Sequence, residues 1–137
     1  MRRIVPLLAA AFATLASPSV AQQAIPLDVP LLQGAQAAPA CGDLLGLAGR
    51  AVCVTTSLER MESLTDAYIA HLGAQGWLIA GGDGDRAVFV RRKTDGGCDG
   101  LQMLAFYDTS KPATADTPGY LGFSSVPGAC GAPEAAQ

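Results

Sequence analysis

The chain contains no asparagine, a single histidine, no Cys-x-x-Cys pair and no long unbroken apolar run. Each absence removes a class of reading. Without asparagine there is no acceptor for N-glycosylation. Without Cys-x-x-Cys, and with His71 far in sequence from every cysteine, the cysteines do not read as a zinc site. Positive charge is scarce too: nine Lys and Arg stand against twelve Asp and Glu, a net charge of −3. Arg2 and Arg3 fall in an expected leader, so the rest of the chain carries seven against twelve, or −5. Nucleic-acid binding is driven by a basic face, so nucleic acid is not an expected partner. The longest apolar stretch, Ile4 to Leu15, is broken by Pro6 and Thr14. It is shorter than the roughly 20 residues that a membrane-spanning helix needs.

What is present begins with that stretch. Arg2 and Arg3, the apolar run, and the small residues Ser19-Val20-Ala21 have the layout of a secretory signal peptide over residues 1–21, cleaved before Gln22. No cysteine follows the apolar run, which speaks against a lipoprotein anchor, and no integral membrane segment is expected in the mature chain. The alanine-rich, asparagine-free composition is associated with GC-rich bacterial codons. Together these features predict a periplasmic or secreted bacterial protein.

Residues 22–40 read as an extended, partly disordered arm, because Pro26, Pro30 and Pro39 interrupt any sustained period. The other reading lays Leu27, Val29, Leu31 and Leu32 against the domain as an added edge strand. The domain itself is expected over residues 41–130, followed by a disordered tail at 131–137. A unit of this size gains from covalent staples.

Four cysteines, Cys41, Cys53, Cys98 and Cys130, remain after the leader. An even number in a short exported chain reads as two disulfides. If Leu101 to Tyr107 and Gly119 to Val126 form a hairpin about the loop Asp108 to Pro118, Cys98 comes opposite Cys130. The expected pairs are therefore Cys98–Cys130 and Cys41–Cys53.

The clearest local signal is a helix over Ser57 to Gln75. Leu58, Met61, Leu64, Tyr68, Ile69 and Leu72 recur on one side, with Glu59, Glu62 and Asp66 opposite. Thr56 and Glu59 have the spacing of a capping box. Strands are expected at Ala51 to Thr56, Trp77 to Ala80, Arg86 to Lys93, Leu101 to Tyr107 and Tyr120 to Val126. Turns are expected at Gly81 to Asp85 and Thr94 to Gly97. The fold class is α+β, one helix packed on a small antiparallel sheet in β-α-β-β-β-β order and held by two disulfides. This order is similar to the cystatin-like helix-grip architecture. The likeness is one of topology. The chain has neither the Q-x-V-x-G hairpin nor the Pro-Trp loop by which cystatins grip cysteine proteases, so that activity is not implied.

Three stretches invite functional readings. Gly82-x-Gly84-x-x-Ala87 matches a dinucleotide fingerprint in letters, but a strand pattern follows the glycines where a helix must hold the pyrophosphate. A calcium nonapeptide needs Asp where Arg86 stands, and a repeat that is absent. His71 is a candidate general base with no partner identified by sequence, and reads as structural. Arg91-Arg92-Lys93, joined by Arg86, is a candidate patch for a small anionic ligand or an envelope protein. The plainer account is a charged strand end that resists edge pairing. No cofactor, metal or catalytic constellation is expected. The chain reads as a non-enzymatic binding or accessory module of the cell envelope, with an inhibitor of a secreted hydrolase, or an enzyme with an unrecognised site, as the alternatives.

Overall fold

A computed structural model describes residues 27–128 and 130. The expected leader, the first five residues of the arm and the tail at 131–137 lie outside the described residues. Within them, six strands form one antiparallel sheet and one helix lies across it. The strands are β1 (Gln36–Ala37), β2 (Val52–Ser57), β3 (Leu78–Asp83), β4 (Arg86–Arg92), β5 (Cys98–Tyr107) and β6 (Pro118–Ser125), and the helix is α1 (Met61–Ala74). Their order across the sheet is β1-β2-β6-β5-β4-β3. The strands after the helix pair with their chain neighbours. β2 pairs with the last strand, so α1 must carry the chain from β2 to the far edge at β3.

The helix follows its apolar stripe. Leu64, Tyr68 and Leu72 are buried, while Glu62 and Asp66 are exposed. Its start differs from the expected capping box. A 3-10 turn at Leu58–Arg60 precedes α1, and no side chain caps either element. The Leu58 N–H instead donates to the Thr117 carbonyl at 2.9 Å and the Glu59 N–H to that of Ala115 at 3.2 Å. The loop before β6 thus satisfies donors that the helix start leaves free. That loop is itself fixed, because the Thr117 hydroxyl donates to the Pro112 carbonyl at 2.7 Å and receives the Thr114 N–H at 3.0 Å.

Opposed residues on antiparallel strands share a face. Val54, Leu121, Phe123, Met103, Leu101 and Phe89 point toward α1 and form the core with its three buried residues and Trp77. Tyr68 and Phe123 rings meet at 5.0 Å. Gly119 is on the same face, where a Cβ would run into Met61 and Leu58. Its missing side chain lets the helix start lie close to the sheet.

Two further expectations change. The chain expected to turn over Gly81 to Asp85 continues as strand to Asp83, with a bulge between Ile79 and Gly81, and turns only at Gly84-Asp85. Glycine permits this: Gly82 sits at φ +148, and a Cβ there would collide with the Arg86 carbonyl. The second is the arm. Gln36 and Ala37 pair with Thr55 and Val54, and Leu27, Val29, Leu32 and Ala35 pack against the core. The packed unit therefore begins by Leu27, before the boundary expected at Cys41. The prolines that suggested disorder suit an extended path, which needs few backbone partners of its own.

Candidate functional site

Both disulfides pair as the hairpin register requires. Cys41–Cys53 has Cα atoms 5.3 Å apart and Cys98–Cys130 5.7 Å. The first pins a strap, residues 41–51, over the face of the sheet opposite α1. Gly122 has no side chain there, and a Cβ would lie 3.3 Å from Cys53 Sγ and 3.5 Å from Leu47 Cδ1. A Cβ on Gly42 would come closer still, 2.7 Å from the Tyr120 ring, which stacks on Phe106 at 5.3 Å. Three non-glycine residues of the strap, Cys41 (φ 52), Asp43 (φ 56) and Leu45 (φ 55), adopt left-handed backbone. Such conformations persist where the surroundings over-determine them; here the staple and the Tyr120 contact do so.

The cationic run is divided by the two-residue period of β4. Arg91 and Lys93 reach the same carboxylate, Asp99, at 3.6 and 3.4 Å. The Arg91 guanidinium also lies 4.5 Å above the Trp77 ring centroid, a cation–π contact. Arg86 and Arg92 are on the opposite face, at the two ends of β4. Arg86 meets Asp83 at 3.5 Å. The four cations named from sequence therefore do not form one patch: one pair is neutralised in part by Asp99, and the other pair stands about 20 Å apart along the strand.

His71 is half-buried on α1, and the Gln75 amide donates to its Nε2 at 3.1 Å. Among the described residues, no three His, Cys, Asp or Glu side chains are grouped to hold a metal ion. Two titrations are displaced. Burial raises Tyr68 above its ordinary value, although the Leu32 N–H partly opposes this. The Ser110 hydroxyl and N–H hold Asp108 below its ordinary value.

Sequence reasoning missed the uncovered part of the sheet. The strap shields the β2 and β6 side of the back face. Over β3, β4 and β5 that face presents Leu78, Val88, Val90 and Leu104 together with Arg86, Arg92 and Gln102, with Leu78 64% exposed and the other apolar residues half-buried. The signal was legible in Ala87-Val88-Phe89-Val90, which is apolar at both parities and so has no polar face. Elsewhere an open polar groove of about 520 Å³ is lined by Gln36, Thr55, Ser57, Glu59, Arg60 and Asp116.

These features define an α+β domain with one helix on a six-stranded antiparallel sheet, stapled twice. No helix among the described residues is long and apolar enough to cross a membrane. Comparison with protein families, with curated proteins and with solved structures gives no match.

Proposed function

We propose that this chain is an exported, non-enzymatic binding or accessory module of the bacterial cell envelope. The observation that carries the reading is the pair of closed disulfides, with no free cysteine among the described residues. Bridges of this kind form and persist in oxidising compartments. They rigidify a small sheet, which suits a module acting by contact. The test is osmotic-shock fractionation of cells making the full chain, followed by intact-mass and thiol analysis and chemical cross-linking. The expected result is a chain starting at or near Gln22 in the envelope fraction, without reactive thiols and cross-linked to an envelope protein. Full-length chain in the cytoplasm with four free thiols would overturn the localisation, and an envelope form with no cross-linked partner would overturn the module.

A second reading, inhibition of a secreted hydrolase, is favoured by the strap. Its left-handed backbone is fixed beside Cys41–Cys53, and Leu45 is 65% exposed on it. Loss of hydrolase activity on mixing, restored by Leu45→Asp, is the expected sign of that role.

A further inference from the structure

We infer that the groove on the front face at the Val52 end of β2 binds a singly charged amphiphilic anion, with an aliphatic body in the groove and a carboxylate on Arg50. The inference rests on the reading of the chain as a binding module and names a small-molecule ligand for it.

The groove follows from the path of the helix. α1 starts against Gly119, which pairs with Thr56, and its end leads into β3 at the far edge. It therefore crosses the sheet obliquely and leaves one corner of the front face beyond its reach. Val54 is 1% exposed beneath the helix, whereas Val52, two residues back on the same face, is 41% exposed. Val52 pairs with Phe123, and Ala37 stands opposite Val54, so β1, β2 and β6 all contribute to this corner. Leu27 of the arm and Pro39 complete an open groove of about 460 Å³. Small-molecule sites have volumes of about 300–1,000 Å³.

Charge selects the ligand. Among the described residues no Asp or Glu lines this groove, and Arg50 is its one charged residue. Arg50 is exposed and forms no ion pair among the described residues. A second groove mixes Arg60 with Glu59 and Asp116, and a third carries Glu62, Asp66 and Asp85 beside Arg86. Of the three, the Val52 groove alone offers a cation without competing carboxylates.

The lining selects the rest. Its walls are apolar, and burying an unpaired polar group against them is costly, so the body of the ligand is aliphatic. A carboxylate matches the guanidinium in charge and in its two-oxygen geometry. A phosphate monoester carries about two charges, of which Arg50 meets one. An exposed ion pair alone adds little. Burial of the body therefore supplies most of the affinity, and Arg50 supplies the choice of head group.

The test is isothermal titration calorimetry on the chain from Gln22 onward with both disulfides formed. Decanoate should bind saturably with a Kd below about 0.1 mM. Decyltrimethylammonium has the same body and the opposite charge, and acetate has the same head group without the body. Each should bind at least about tenfold more weakly than decanoate. Arg50→Glu should reverse the order of the two decyl compounds. Ala37→Trp fills the groove and should abolish binding of both, and an unchanged circular dichroism spectrum verifies that each variant is folded. No saturable binding of decanoate at about 1 mM, the result expected of a groove already filled by residues 22–26, would overturn the proposal. Equal binding of the two decyl compounds, an order unchanged in Arg50→Glu, or undiminished binding by Ala37→Trp would do the same. So would sedimentation showing a dimer that Ala37→Trp dissociates, since a second copy would then occupy the groove. None of these results alters the fractionation or the thiol analysis, so this proposal and the export reading fail separately.

Discussion

The hydroxyl of Tyr68, in the middle of α1, donates to the carbonyl of Pro30 at 2.8 Å and receives the Leu32 N–H at 3.3 Å. One side chain of the helix thus supplies both partners for a stretch of chain that makes little secondary structure of its own. Its ring is fully buried, with 1% of its surface exposed, and packs on Phe123.

Tyr68→Phe keeps the ring and removes both hydrogen bonds. The expected loss is about 1–3 kcal/mol, since a buried donor and acceptor are left to find water or go unpaired. Urea denaturation measures it. Amide exchange should rise at Leu32 more than at Leu121 in the core, because the arm is what the hydroxyl holds.

The same residue sets an alkaline limit. Burial raises the Tyr68 pKa above its ordinary 10.0. A group whose folded pKa is raised contributes stability that is fully present below the unfolded value and is lost as pH climbs through the folded one. The melting temperature of the wild type should therefore fall with pH above about 10, and Tyr68→Phe should flatten that decline. Parallel declines in the two proteins would assign the effect to other groups.

The fold was legible where a single period dominates. The α1 stripe could be read directly, and the hairpin about 108–117 then gave the cysteine pairs. Interactions supplied from far along the chain could not be read. Thr56 and Glu59 have capping-box spacing, yet the carbonyls of Thr117 and Ala115 occupy the donors first. Gly81 and Gly82 have the composition of a turn, yet cross-strand pairing to Val88 and Ala87 extends β3 through them. Of the two readings of the arm, proline density could not choose, because it reports on local hydrogen bonding and is silent about Tyr68. The candidate surface was half legible. A two-residue period separates Arg92 from Arg91 and Lys93, but the register that sets Gln102 opposite Val88 and Cys98 opposite Arg92 comes only from the sheet order.

Helix-face assignment is tested by a pair of substitutions. Leu64 is buried at 4% exposure under the sheet and Glu62 is exposed. Leu64→Ala should cost about 2–5 kcal/mol, the range for large-to-small changes in a core. Glu62→Ala should change stability by less than about 0.5 kcal/mol. Equal values from denaturant unfolding would mean that the packed face is wrong.

Gly82 tests the extension of β3. Gly82→Ala places a Cβ against the Arg86 carbonyl at a φ of +148 that L residues avoid. The expected loss is about 1–3 kcal/mol. Gly81→Ala, with open space at its Cβ, should cost less. An ordinary turn over Gly81 to Asp85 would make the two substitutions comparable.

The two disulfides should stabilise different parts of the chain and be separable by protease. Cys98–Cys130 spans 32 residues and Cys41–Cys53 spans 12. On the chain-entropy account each contributes about 3–4 kcal/mol, with the longer loop ahead by less than about 1 kcal/mol. Melting temperature alone will therefore distinguish them poorly. Local opening will distinguish them well. Cys41 and its left-handed neighbours are held to the sheet by Cys53, and Arg50 is exposed within the strap they begin. Without that bridge, the strap loses the constraint on its strained backbone and opens without global unfolding. Cys41→Ser/Cys53→Ser should be cut by trypsin after Arg50 in the native state, leaving fragments that mass spectrometry identifies. Cys98→Ser/Cys130→Ser should melt earlier yet resist cleavage after Arg50 until it unfolds. Equal native-state cleavage in both variants would show that the strap is held by its packing on Tyr120 and Gly122 and not by Cys53.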